Sequence, residues 1–266
     1  DFMIPNTASV LHGLLGLKEE VDTFDVSDGC VGYLRGIALA SFLLKDESIS
    51  KVLLVCGDVL SRWVNRGDRN SFPLIGDAVT LTVLAKTKNS DDDVDYYGEI
   101  YQSGESCLAI SIPSSGSRHK ISNSSLISSA DSEGNMRSPS DLNMKGRDVF
   151  NFTQMVVAPF IKNFLTKLKR VEFEKVYCHQ ANLFILKKLR SKLGLSKLEL
   201  PSYTIENYGN SSSASIPTEI VLNCSDPKNI VNKSAFLCGF GAGLSWGAAR
   251  IKFSQNFSSN FIKVNV

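Results

Sequence analysis

Three short apolar runs constrain the fold more than any other feature of the chain: residues 52–56, 175–178 and 235–238. Each is too short for a helix and stops at a polar or glycine-rich turn, Gly57-Asp58, His179-Gln180 and Gly239-Phe240-Gly241 respectively. Runs of this kind read as buried strands of a partly parallel sheet, where both faces are covered and no polar residue is needed on either. Helical patterns lie between them. Residues 31–44 are apolar almost all round (Leu34, Ile37, Ala38, Leu39, Phe42, Leu43), as in a helix buried in a core. Residues 150–168 and 182–193 are amphipathic. Lys162, Lys167, Lys169 and Arg170 mark the wet side of the first, and Lys187, Lys188, Arg190 and Lys192 that of the second. Strands alternating with helices predict an α/β architecture.

The pattern also repeats. The run ending at Asp58 is followed by Gly76 and an alternating stretch to Ala85, and the run ending at Cys238 by Gly241 and a similar stretch to Phe253. Two related α/β halves are therefore expected, one in residues 1–110 and one in 141–266. Residues 111–140, rich in Ser, Gly, Pro and Asn, read as a loop or insertion with short strands. Asp91-Asp92-Asp93 reads as a solvated turn, because the rest of a calcium loop is missing.

Composition removes whole classes of function. Twenty-nine basic against 27 acidic residues give a net charge of +2, so no field marks a nucleic-acid partner. No apolar run is long enough to span a membrane. The six cysteines, Cys30, Cys56, Cys107, Cys178, Cys224 and Cys238, form no C-x-x-C pair, and three of them end apolar runs. They read as buried thiols of a reducing cytoplasm, with no disulfide or metal.

Few residues remain for chemistry. Of three histidines, His12 sits on an apolar helical pattern and His119 in a polar loop, and both read as structural or solvated. His179 stands where a short buried strand gives way to a helix, the place where open α/β sheets bind ligands. A core histidine satisfied by hydrogen bonds is the alternative. Cys30 lies between an apolar segment ending at Val26 and the helix expected from about Val31. There the helix dipole is expected to lower its pKa and favour the thiolate, and Gly29 and Gly32 leave room for a tight elbow. A small core cysteine is the alternative here. Asn210 lies in a small-residue loop, Asn207–Pro217, entering a helix, and offers an amide. A Cys, a His and an Asn at three such junctions would supply a nucleophile and two hydrogen-bond donors. Spacing alone does not bring them together.

The segments that carry these residues are Phe24-Asp-Val-Ser-Asp-Gly-Cys30-Val-Gly-Tyr33, Val55-Cys-Gly-Asp-Val-Leu60, Ile75-Gly-Asp-Ala78, Met144-Lys-Gly-Arg-Asp-Val-Phe150, His179-Gln-Ala-Asn182, Tyr208-Gly-Asn210-Ser-Ser-Ser-Ala-Ser-Ile-Pro217 and Phe240-Gly-Ala-Gly-Leu-Ser-Trp-Gly247. In this order, over nearly the whole chain, they resemble the condensing-enzyme branch of the thiolase superfamily, most closely β-ketoacyl-acyl-carrier-protein synthase III. The resemblance implies two pseudo-duplicated α/β halves layered α-β-α-β-α, the first lacking its N-terminal strands. It places Asp1 well inside the family's length. Asp1 is then expected not to be the natural start, with the missing segment cleaved, omitted or supplied by another chain.

The implied reaction is a decarboxylative Claisen condensation. Cys30 takes an acyl group from acyl-CoA, and His179 and Asn210 stabilise the enolate of malonyl-acyl carrier protein or malonyl-CoA. The backbone N–H groups of Cys30 and Ala242 form the oxyanion hole, with alanine standing where the family has glycine. Phe240, Met144, Gly146 and Gly209 border the substrate. Lys187, Lys188, Arg190 and Lys192 would face an acidic carrier protein, although Phe184 replaces a basic residue common in the family. No metal or cofactor is implied beyond acyl-CoA as substrate, and the assembly is a homodimer or heterodimer. Cys238 lies one residue before the place of a thiolase's second cysteine, which here is Gly239. On a strand that offset turns it to the opposite face. The rival readings are a secondary-metabolite condensing enzyme, a catalytically silent partner subunit and a cysteine hydrolase.

Overall fold

The structure, a computed structural model, describes residues 3–86, 96–168, 175–224, 230 and 233–264. The acidic run Asp91–Asp93, as well as Lys169 and Arg170, lies outside the described residues. The chain opens with helix α1 (Thr7–Leu14), whose first N–H groups, on Thr7 and Ala8, donate to the Asp25 carboxylate at 2.8 and 2.7 Å. Helix α2 (Gly32–Leu43) follows, then strands β1 (Lys51–Asp58), β2 (Ala78–Ala85) and β3 (Tyr96–Gln102). The Ser-rich region holds two short ladders. In these β4 (Ile110–Ser111) pairs with β7 (Asn143–Met144), and β5 (Ser129–Ala130) with β6 (Met136–Arg137). A continuous helical stretch comes next: α3 (Gly146–Phe152), a π turn (Thr153–Val157) and α4 (Ala158–Lys167). The remaining elements are β8 (Val176–Cys178), α5 (Leu183–Leu193), α6 (Tyr203–Asn207), α7 (Ser215–Asn223), β9 (Ser234–Gly241) and β10 (Ser245–Lys252).

The main sheet runs β3-β10-β9-β8, with β8 and β9 parallel and the other pairs antiparallel. Its strands alternate between two cores. Val176, Cys178, Phe236, Cys238 and Phe240 pack with Ile161, Phe164, Ile185, Leu186 and Leu189 of α4 and α5. Tyr177, Ala235, Leu237 and Ala249 face the other way, onto Leu34 and Ile37 of α2 and Ile216 and Ile220 of α7. Burial on both faces explains why 176–178 and 235–238 are apolar throughout. Each large side chain buried this way contributes about 1.5–3 kcal/mol. Beyond α2, the antiparallel pair β1–β2 adds Cys56, Leu54 and Leu84 to the second core. The described elements thus stack helix, sheet, helix, sheet.

Two expectations change. The run 52–56 belongs to β1, which pairs antiparallel with β2 and takes no part in the parallel pairing. It is covered on one face only, and Leu53 and Val55 point out beside Val79, Leu81 and Val83 of β2. Helix α2 is likewise not buried all round, for Phe42 is 65% exposed and Leu39 also reaches the surface. The Ser-rich region is clamped to the body by an ion pair. Arg137 reaches the fully buried Asp68 at 2.7 Å, and Ser71 and the Asn70 N–H add hydrogen bonds to that carboxylate.

Candidate active site

Cys30 sits immediately before α2, half-buried, on a segment held by Asp25 at α1 and by the pairing of Asp28 with Arg35. It lies flat on β9. A methyl group at Gly241 would come within 2.6 Å of the Cys30 sulfur, and one at Gly239 within 3.0 Å of the Cys30 carbonyl oxygen, so neither position has room for a side chain. Cys238 points into the opposite core beside Cys178, away from Cys30. The N–H groups of Ala242 and of Cys30 itself hydrogen-bond the sulfur, as does the Ser212 hydroxyl. Burial outweighs them and, helped by the nearby Asp58 carboxylate, pushes the thiol up to about 11. The lowered pKa expected from the helix N-terminus is therefore corrected, because desolvation of a thiolate exceeds what the helix end and three hydrogen bonds return.

His179 follows β8, its backbone N–H donating to the Cys238 carbonyl at 2.7 Å. Its ring is buried, with Nδ1 2.7 Å from the Ser215 hydroxyl and Phe240 packed edge-on at 5.5 Å. Burial pushes the imidazole down to about 4, while a hydrogen bond to the Ser212 backbone pulls the other way. At neutral pH the ring is uncharged and carries one N–H.

Asn210 is fixed by a crossing of two loops. Its N–H donates to the Leu74 carbonyl at 2.7 Å, and the Gly76 N–H donates to the Asn210 carbonyl at 3.0 Å. Gly209 has φ +83°, and a side chain at Gly76 would collide with the Tyr208 carbonyl. The Asn210 Oδ1 accepts from the Ser212 N–H at 2.9 Å, and Nδ2 donates to the Ala181 carbonyl at 3.3 Å, leaving its second N–H for a ligand. Next in the loop, Ser213 is held by Asp58 at the end of β1, hydroxyl to carboxylate at 2.9 Å.

Cys30, His179 and Asn210 therefore meet around Ser212. Sequence reasoning passed over Ser212, Ser215 and Asp58. The only available signal was the density of hydroxyls in Ser211-Ser-Ser-Ala-Ser215. Of the other candidates, Met144 and Gly146 line a polar cavity of about 220 Å³ with Arg137, Lys145 and Arg147. Lys187, Lys188 and Lys192 are exposed on α5. Arg190 is not available for docking: it is buried, and its Nε donates to the Leu200 carbonyl at 2.8 Å. Helical periodicity turns it inward, one position beyond Leu189. His12 Nε2 donates to the Lys18 carbonyl at 3.0 Å, and His119 is exposed. Among the described residues no three His, Cys, Asp or Glu side chains gather as a metal would require, and no helix is long and apolar enough to cross a membrane.

Fold and site together define a condensing enzyme of thiolase-like architecture. A 2.1 Å crystal structure of a 3-oxoacyl-(acyl-carrier-protein) synthase III superposes with a TM-score of 0.89 at 25% identity, covering 95% of this chain and 75% of that one. A 3-oxoacyl-(acyl-carrier protein) synthase from Burkholderia xenovorans is 31% identical, with a TM-score of 0.84 over 96% of this chain and 71% of the other. In sequence, a Campylobacter jejuni protein assigned as 3-oxoacyl-[acyl-carrier-protein] synthase 3 is 30% identical over 264 residues, 98% of this chain and 72% of its own length. The family models for 3-oxoacyl-[acyl-carrier-protein] synthase III and for its C-terminal part match residues 24–97 and 166–253. The chain belongs to the 3-oxoacyl-[acyl-carrier-protein] synthase III family of acyltransferases.

Proposed function

We propose that the chain joins an acyl group from acyl-CoA to a malonyl thioester, with Cys30 as nucleophile and His179 and Asn210 as donors to the enolate. The Cys30 sulfur attacks the acyl carbonyl, the bond to the CoA sulfur breaks, and the thiol proton leaves with CoA. Loss of CO2 from the malonyl thioester leaves its electron pair on the α-carbon. The resulting enolate oxygen would accept from the neutral His179 ring and the free N–H of Asn210. A neutral imidazole and an amide suit this step, since neither is a strong base that would quench the carbanion. The carbanion attacks the acyl-Cys30 carbonyl, whose developing charge would fall to the N–H groups of Cys30 and Ala242. The bond to sulfur then breaks, releasing a β-ketoacyl thioester, and the thiolate takes a proton from water.

The observation that carries this reading is the meeting of Cys30, His179 and Asn210 on one residue, with the Ala242 N–H on the sulfur. Phe240 would flank the acyl group. Met144, Gly146 and Gly209 would line the approach of the pantetheine arm, and Lys187, Lys188 and Lys192 would meet an acidic carrier. Dimeric assembly and the division at residues 110 and 140 belong to the same reading, with β3 reaching across that division to pair with β10.

Incubation with labelled acyl-CoA, followed by peptide mass spectrometry, tests it. Label on Cys30 that moves into product only when a malonyl thioester is added is expected. Release as free acid would make the protein a hydrolase. No label in the assembled protein would leave the reading of a silent partner subunit.

A further inference from the structure

Among the described residues, Ser212 is the one non-glycine residue with positive φ, +51°. That left-handed conformation is uncommon for a side chain that does not bond its own backbone, and strained residues of this kind concentrate at functional sites. Here it has a local consequence. The turn at Ser212 sends its N–H to Asn210 Oδ1, sets its backbone against the His179 ring, and brings its hydroxyl to the Cys30 sulfur. Ser212 is itself nearly inaccessible, and its hydroxyl lies beside Gly29, where a methyl group would make ordinary contact with it at 3.9 Å. Ser213, one residue on, is tied to Asp58, so the turn is anchored from the first half of the chain as well.

We infer that Ser212 is a positioning residue for the nucleophile, its hydroxyl donating to the Cys30 thiolate while its left-handed backbone holds Asn210 and His179 in register with that sulfur. The inference rests on the reading of Cys30, His179 and Asn210 given above. The hydroxyl matters most when the sulfur is anionic. In a dry site with an opposing carboxylate nearby, a donor to sulfur is among the few forces that favour the charged form. Once Cys30 is acylated the sulfur is neutral and a poor acceptor, so the hydroxyl aids formation of the acyl-enzyme and not the later decarboxylation.

Two variants separate hydroxyl from backbone. Ser212→Gly keeps the conformation and removes the hydroxyl. Ser212→Ala also removes the hydroxyl, but retains the Cβ strain at φ +51° that glycine relieves. The pH dependence of Cys30 alkylation by iodoacetamide, followed by peptide mass spectrometry, reads the thiol without requiring turnover. Both variants are expected to move the profile to higher pH by about 0.5–1 unit, making alkylation about three- to tenfold slower at a fixed pH below the inflection. Acyl transfer from acyl-CoA should slow by a similar factor, and by more than malonyl decarboxylation does in the same variant. An unchanged alkylation profile in Ser212→Gly, or a shift confined to Ser212→Ala, overturns the inference. Wild-type protein that alkylates normally but takes no acyl group overturns the proposed function, and the alkylation shift still decides the role of Ser212.

Discussion

A single hydrogen atom at Gly241 governs how close the nucleophile can come to the central strand. With a methyl group there at 2.6 Å from the Cys30 sulfur, either the sulfur or β9 must move. Overpacking of this kind costs about 1–3 kcal/mol. Gly241→Ala is therefore expected to lower the unfolding free energy measured in urea by that amount and to slow Cys30 alkylation at least about tenfold. Unchanged melting and alkylation would show that the close contact is wrong. Cys30, His179 and Asn210 were legible in the sequence because each is a chemically distinctive residue where a strand or loop gives way to a helix. Ser212 was not. Its importance lies in a backbone angle and in contacts with residues far away in the chain, and one serine among four carries no mark of either. The lowered thiol pKa was misjudged for a related reason: the sequence indicates a helix end, but not how much protein surrounds the sulfur.

At the scale of elements, the Arg137–Asp68 pair shows how the Ser-rich region is held. Burial pushes the Asp68 carboxyl up, but Arg137, Ser71 and the Asn70 N–H together outweigh it and hold the group below the usual carboxylate range. Arg137→Met would leave that carboxylate buried without its main partner. A loss of about 3 kcal/mol in chemical denaturation is expected, largely restored in the double variant with Asp68→Leu. Additive single effects would mean that the two side chains do not interact. The Ser-rich composition of 111–140 is plain in the sequence, whereas the clamp joins positions 69 residues apart and leaves no local trace. The apolar runs behaved differently from one another. Residues 235–238 were readable as a buried strand because both faces are covered, but 52–56 have the same composition with one face open. An apolar run reports what a strand can tolerate, and only the packing decides which face is used.

For the molecule as a whole, the neutral His179 links stability to acidity. Its folded pKa, near 4, lies below the ordinary value near 6.5, so the unfolded chain binds a proton that the folded chain refuses. The stability this gives is complete above about pH 6.5 and is lost as the pH falls through about 4, roughly 2–4 kcal/mol in all. Asp68, with its folded pKa depressed, adds a further loss below about pH 4. Urea midpoints at pH 7, 5.5 and 4.5 should fall progressively, and a His179→Gln variant should lose the upper part of that slope. A flat wild-type profile between pH 7 and 4.5 would contradict the burial of a neutral imidazole. The alternation of strands and helices made the α/β, thiolase-like architecture readable at this scale. The pairing of β3 with β10 was not, because two strands some 150 residues apart share no local signal of being neighbours.

That long-range pairing has a kinetic counterpart in the Ser213–Asp58 contact, which spans 155 residues of chain. Contacts between distant positions close large loops, and chains dominated by them search slowly for the native arrangement. The chemistry-bearing segments come from residues 28–30, 58, 74–76, 179–181, 208–215 and 239–242, so no fragment shorter than 28–242 contains the centre. Both cores draw on the same distant elements, so a refolding chain gains the reactive constellation only as those cores close. Recovery of thiol reactivity and turnover then follows the slowest step of assembly, and the centre acts as a built-in reporter that the entire chain has reached its native state.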